Sequence, residues 1–238
     1  YLWGGYSQYM YLHPDAILHV VPPGVTEHEA VLFSGLANGV KWAQRIPALS
    51  LGDSIVILGP GQQGLGCVLA SSMTGANPII VAGLERDAKR LQVAKTLGAT
   101  HTIFSDKAPL LEQIRNITGP ELADVVVDVT GSTAAQEVAV DLVRRGGTVV
   151  LGGRTPKKTI PFVMDKLTSR GIKMIGVRAH DSEDVRKAVA VISARREQLS
   201  QLLTHEVSLK QADLALRLIG QEVPGEEAIH VAINPWLD

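Results

Sequence analysis

Cysteine is almost absent from this sequence: Cys67 is the only one in 238 residues. A single thiol excludes an internal disulfide and any Cys-rich metal knuckle within the chain. A reducing, cytoplasmic compartment is the matching expectation. Aromatic residues are scarce too, at 4%, and all four tyrosines (Tyr1, Tyr6, Tyr9, Tyr11) fall in the first eleven residues. That shift, with an opening at Tyr1 instead of methionine, is expected of a chain that begins inside a longer protein. Neither sign of charge is in excess, the net being −1 at pH 7. Nucleic acid and anionic membranes both require a basic surface, so neither is an expected partner. No apolar run approaches the ~20 residues that span a bilayer, and no secretory signal is visible. Internal repeats and low-complexity tracts are missing as well.

What is present is an ordinary globular composition, 45% hydrophobic and 20% charged. Thr26-Glu27-His28-Glu29 is a capping-box pattern and predicts a helix over roughly 27–44. Gly35 and Gly39 inside that helix point to close packing or to the approach of a ligand. From Leu51 onward, short β-branched runs alternate with helical patterns. The runs are Ser54–Leu58, Pro78–Ala82, His101–Phe104, Asp124–Val129, Thr148–Leu151 and Lys173–Val177. Helices are expected over Gln63–Thr74, Asp87–Leu97, Pro109–Thr118, Ala134–Arg145 and Pro161–Ser169. Runs such as Ile55-Val56-Ile57-Leu58 are continuously apolar, as strands buried on both faces of a parallel sheet must be. The expected fold is therefore α/β, a doubly wound parallel sheet. Beyond Ala179 a long charged helix (Ser182 to Leu203) leading to Thr204-His205-Glu206-Val207, a capped helix from Ser208 and a closing strand (Ile229 to Ile233) are expected.

The sharpest motif follows the first strand: Gly59-Pro60-Gly61-Gln62-Gln63-Gly64, a G-x-G-x-x-G that opens a helix. Gly59 permits the tight turn, Gly61 lets backbone approach a pyrophosphate, and Gly64 lets the helix pack close to the sheet. The N–H groups near Gln62 and Gln63 then face negative charge at a helix N-terminus. NAD or NADP is the implied cofactor. Cys67, one turn into that helix, reads as core packing and not as a nucleophile. The second strand should end in an acid that holds the adenosine ribose, about 20 residues after the glycines. It ends instead at Gly83, followed by Glu85 and Arg86. Arg86 could pair with a 2′-phosphate and favour NADP, and Glu85 could reach ribose hydroxyls and favour NAD. Alternatively both belong to a solvated helix start.

Several segments together resemble the medium-chain dehydrogenase/reductase superfamily in its zinc-type alcohol dehydrogenase branch. They are Gly4-Gly5-Tyr6-Ser7-Gln8-Tyr9, Leu51-Gly52-Asp53-Ser54-Ile55-Val56, Ala94-Lys95-Thr96-Leu97-Gly98-Ala99, Asp124 to Gly131, and Gly146-Gly147-Thr148-Val149-Val150. The resemblance implies hydride transfer between an alcohol and a carbonyl compound, and a homodimer formed through the last sheet strand. It places Val129, Thr130 and Gly131 on the adenosine-ribose and nicotinamide side. Leu151, Gly152 and Gly153 fall along the nicotinamide, Asn38 near it, and His230 near the pyrophosphate, unless His230 is an ordinary strand histidine. Residues 1–34 and 177–238 are expected to be pieces of a catalytic domain flanking a dinucleotide-binding domain over 35–176. The family's catalytic zinc lacks its ligands here: Ser34 stands where a Cys or Asp is usual, and a serine hydroxyl is a poor zinc ligand. No zinc site is expected within this chain. Two other readings stay open, a zinc-free reductase acting on an activated C=C bond or a quinone, and a nucleotide-binding module without catalysis.

Overall fold

The computed structural model describes residues 5–238. Tyr1 and Gly4 of the Gly-Gly-Tyr segment lie outside the described residues. The chain forms two compact units, Ser34–Ala188 and a second made of Tyr1–Phe33 with Val189–Asp238.

The first unit is built on a six-stranded parallel sheet of order β3-β2-β1-β4-β5-β6. Its strands are β1 (Ile55–Leu58), β2 (Ile79–Gly83), β3 (His101–Phe104), β4 (Ala123–Asp128), β5 (Val143–Leu151) and β6 (Lys173–Gly176). Around it lie α3 (Gln62–Thr74), α4 (Ala88–Thr96), α5 (Leu110–Thr118), α6 (Thr133–Ala139) and α7 (Asp165–Arg170), with α2 (Phe33–Gly39) before them. Every residue of β1 is buried, as its uninterrupted apolar run requires. The strand order reverses between β1, paired with β2, and β4, its other neighbour. In open α/β sheets the crevice beyond the strand C-termini at such a reversal is where ligands bind. One side of the sheet packs Val56, Leu58, Ile80, Val126 and Val149 against Ile114, Ala139 and Leu142.

The helix expected over 27–44 divides. α1 (Glu27–Ala30) carries the capping box, with Glu29 N donating to Thr26 Oγ1 at 3.2 Å and Thr26 N to Glu29 Oε2 at 2.8 Å. It then gives way to α2 and a wider π-helical turn over Val40–Arg45, closed by Ile46 N on the Lys41 carbonyl at 2.9 Å. The break, at Val31 and Leu32, comes just before the boundary between the two units at Phe33 and Ser34. Residues 143–145, expected to be helical, begin β5. Pairing Ala123 with Val143 across a bulge, and the 2.5 Å contact of Arg144 Nε with Asp124 Oδ1, override their local helical pattern.

In the second unit β7 (Leu203–Ser208) and β8 (His230–Asn234) pair in parallel across α10 (Ala212–Ile219). Val207, Ala215, Leu218 and Ala228 form its small core. The long charged helix is α8 (Ser182–Ala194) followed by the short α9 (Arg196–Leu199). Among the described residues no helix is long and apolar enough to cross a membrane.

Candidate functional site

The turn after β1 is shaped by what surrounds each glycine. Gly59 has φ of +102°, a conformation open to glycine, and a Cβ there would meet Thr130 Cγ2 at 2.8 Å. A Cβ at Gly64 would lie 1.8 Å from the Gly59 carbonyl oxygen, so α3 can start this close to the turn only with glycine. At Gly61 a Cβ would meet nothing within 4 Å. Two glycines are thus closed by protein, and the one assigned to the ligand faces open space. α3 runs for 13 residues from the turn, and its first N–H groups, at Gln62 and Gln63, have no intrahelical acceptor.

The helix is held in place by a second backbone contact. A Cβ at Gly39 would lie 2.2 Å from the Gly66 carbonyl oxygen, and one at Gly66 would lie 2.2 Å from that of Gly35. Close packing therefore accounts for Gly39 and Gly66, while a Cβ at Gly35 would press on the Gln62 side chain at 3.0 Å. Cys67 is fully buried here, and burial pushes its thiol up to about 12. It is a core thiol, with almost no thiolate to act as a nucleophile.

Val129, Thr130 and Gly131 follow β4, and Leu151, Gly152 and Gly153 follow or end β5. The structure brings the two turns together. A Cβ at Gly153 would sit 2.2 Å from Gly131 N, and one at Gly131 (φ +67°) would sit 2.6 Å from the Arg154 carbonyl oxygen. Asp128, fully buried, organises the join: its carboxylate accepts from Thr130 N (3.0 Å), Thr130 Oγ1 (2.5 Å) and Gln136 Nε2 (3.0 Å). Gln136 Nε2 also reaches the Gly153 carbonyl at 2.8 Å. The Trp42 ring covers Gly152, where a Cβ would meet it at 2.8 Å. Asn38, buried in α2, is linked to Gln63 at 2.9 Å.

At the far end of β2 the arrangement is looser. A Cβ at Gly83 would meet Pro60 Cγ at 2.9 Å, so the glycine turn itself requires a glycine there. Glu85 is exposed and paired with Lys107 at 2.5 Å, and its N–H donates to Asp106 at 3.1 Å. Arg86 is exposed, with no hydrogen bond or ion pair among the described residues. Asp106 and Lys107 escaped the sequence reading because β3 brings them to Glu85 from about 20 residues away in the chain. His230 lies in the other unit, buried on β8, with Nδ1 unpartnered. Burial, and to a lesser degree His28, holds it below the ordinary histidine range.

The glycine turn follows β1 at the strand reversal, and the turns after β4 and β5 pack on one another beside it, the place where open α/β sheets bind ligands. A model of the family described as zinc-binding dehydrogenase matches residues 64–194, more than half of the chain. The chain belongs to the zinc-binding dehydrogenase family. A Mycobacterium tuberculosis protein named "Probable alcohol dehydrogenase adh" is 36% identical over 98% of this chain and 65% of its own length. The chain therefore spans slightly less than two thirds of that relative. Among solved structures, an alcohol dehydrogenase from Thermotoga maritima is 28% identical with a TM-score of 0.77, over 88% of this chain and 58% of its own. An oxidoreductase/dehydrogenase of unknown specificity from Escherichia coli is 25% identical with a TM-score of 0.82, over 93% and 62%.

The family's name raises the question of zinc. Among the described residues no three His, Cys, Asp or Glu side chains converge on one point. Ser34, half-buried at the start of α2, offers a neutral hydroxyl where a thiolate or carboxylate would serve. This donor set does not fit a zinc ion.

Proposed function

We propose that this zinc-binding dehydrogenase family member binds NAD or NADP in the β1/β4 crevice and holds it for hydride transfer between an alcohol and a carbonyl compound. One observation carries the reading: Gly59 and Gly64 are closed by protein while Gly61, between them, faces open space. Backbone N–H groups at Gln62 and Gln63 would take the diphosphate charge at the start of α3. Val129 to Gly131 and Leu151 to Gly153 would form the bed of the ribose and nicotinamide, with Asn38 beside it. The dinucleotide supplies the hydride chemistry, and the protein supplies orientation and exclusion of water. The alcohol or carbonyl compound is a small molecule whose pocket belongs to the whole protein.

The charges beyond β2 support NADP over NAD. Gly83 carries no carboxylate to hold ribose hydroxyls, Glu85 is already occupied by Lys107, and Arg86 has no partner to release before meeting a 2′-phosphate. The edge position of β6, with Met174 and Ile175 half-exposed, supports a homodimer paired through that strand. A monomer by sedimentation at micromolar concentration would contradict that pairing. The buried thiol of Cys67 is compatible with a cytoplasmic setting. The donor set at Ser34 favours, as a second reading, a zinc-independent reductase of an activated C=C bond. Activity of the whole protein on enones after exhaustive chelation would support it, and activity on alcohols restored only by zinc would exclude it.

A Gly61→Val variant tests the main reading. It should fold with an unchanged melting temperature and lose binding of both dinucleotides by at least an order of magnitude, since a β-branched side chain would fill the approach. Unchanged affinity would remove the glycine turn from the site.

A further inference from the structure

Gln63 is the second residue of α3, and one end of its amide is already occupied. Asn38 Nδ2 donates to Gln63 Oε1 at 2.9 Å. Asn38 Oδ1 in turn lies 3.0 Å from His180 Nδ1. Three elements distant in the chain thus meet in one hydrogen-bonded row. None of this was legible in the sequence, where His180 belonged to no motif.

His180 is held from both sides. Before it, Ala179 has φ of 50°, a left-handed conformation that alanine seldom adopts. Its carbonyl accepts from Trp42 Nε1 at 3.2 Å, and the same indole covers Gly152. After it, Asp181 pairs with Lys41 at 3.2 Å and with Arg45 at 2.5 Å. Arg45 also pairs with the buried Asp184 at 2.8 Å. The row therefore stands beside the turn after β5, within the proposed crevice.

Each amide in such a row has a donor end and an acceptor end, so the row can run in two directions only. If His180 Nδ1–H donates to Asn38, then Asn38 donates to Gln63 and Gln63 retains its two N–H donors. In the reverse direction Gln63 would present its carbonyl oxygen. A phosphate oxygen accepts and never donates, so only the first direction suits it. The Gln63 Nε2 group has no hydrogen-bond partner among the described residues.

We propose that His180 and Asn38 are positioning residues that fix the Gln63 amide with its N–H₂ end toward the diphosphate of the bound dinucleotide. The ligand in this proposal rests on the cofactor reading above. Burial holds His180 below the ordinary histidine range, with Lys41 acting the same way and Asp184 and Asp181 opposing. A neutral imidazole carries one N–H, and its tautomer sets the direction of the row.

Two measurements on the chain test this. Nitrogen-15 NMR of the imidazole without ligand should find His180 protonated on Nδ1; protonation on Nε2 would overturn the proposal. Titrations with NADPH and NADH should find H180L about tenfold weaker than wild type, as for loss of one hydrogen bond to a charged group. H180N, which keeps a donor near the place of Nδ1, should recover most of that loss. In a Q63L background H180L should have no further effect; an additive loss would overturn the proposal. Thermal melts of each variant separate misfolding from weakened binding. If the wild type bound neither dinucleotide, the cofactor reading and the ligand assigned to Gln63 would fall together. An Nε2–H tautomer with intact binding would overturn this proposal alone.

Discussion

The two ends of the proposed dinucleotide crevice are built from different materials. At the β1, β4 and β5 ends, backbone meets backbone: Gly64 on Gly59, Gly39 on Gly66, Gly153 on Gly131. Beyond β2 and β3 the surface consists of exposed charges, with Glu85 on Lys107, Asp106 on the Glu85 amide, and Arg86 unpaired. A diphosphate makes the same demand whatever dinucleotide carries it, so its bed can be rigid and made of main chain. The ribose end must distinguish a hydroxyl from a phosphate, and long mobile side chains are sufficient for that. On the proposed reading, rigidity goes with what is common to NAD and NADP, and surface charge with what differs between them.

The contrast breaks most severely at Gly64. Gly64→Ala places a methyl group 1.8 Å from a carbonyl oxygen, and overpacking of that kind should cost about 3 kcal/mol or more. Urea denaturation should register it as a fall in midpoint, together with lost dinucleotide binding. Gly61→Ala, three residues away, should leave the midpoint unchanged. Equal stability effects at the two positions would mean that the packed end is not packed as described.

Removing Arg45 tests whether the packed end also depends on ion pairs. Arg45→Ala leaves the fully buried Asp184 carboxylate without its cation, and breaking a buried pair should cost about 2–4 kcal/mol once the partial exposure of Arg45 is discounted. The same variant should loosen the His180 loop and weaken dinucleotide binding.

Asp124 offers a smaller effect with a pH signature. Burial raises its pKa, but hydrogen bonds from Ser54 Oγ and N and the Arg144 guanidinium outweigh burial and hold it below 3.8. A carboxylate depressed in the folded state contributes stability above its unfolded pKa and loses it as pH falls through the folded value. Asp124→Asn should therefore cost about 1–2 kcal/mol at pH 7, and the difference from wild type should shrink below pH 4. A gap that persists at pH 2 would contradict the assignment.

The smallest change belongs to the charged end. Arg86→Ala should weaken NADPH by about tenfold, roughly 1.4 kcal/mol, and leave NADH untouched. Equal losses for both would remove Arg86 from the 2′-phosphate and make the two ends less different than proposed.

How much of this was legible depended on range. The glycine turn and its strand could be read because Gly59, Gly61 and Gly64 act within six residues. The sheet could be read because apolar runs like Ile55–Leu58 must be buried on both faces. Residues 143–145 could not, because their helical pattern yields to Ala123 and Asp124 on the neighbouring strand. Gly83 suggested a missing acid, and the structure adds Pro60 as the reason no side chain fits there. His180 was silent because its partner Asn38 is 142 residues away. Local geometry showed in the pattern, whereas contacts made by tertiary closure did not.

Whether the proposed crevice binds a dinucleotide is decided by calorimetric titration of this chain with NADPH and NADH in separate experiments. Saturable binding of both at one site is expected, NADPH the tighter, abolished by Gly61→Val in a protein that still melts cooperatively. A folded wild-type chain that takes up neither dinucleotide would contradict it.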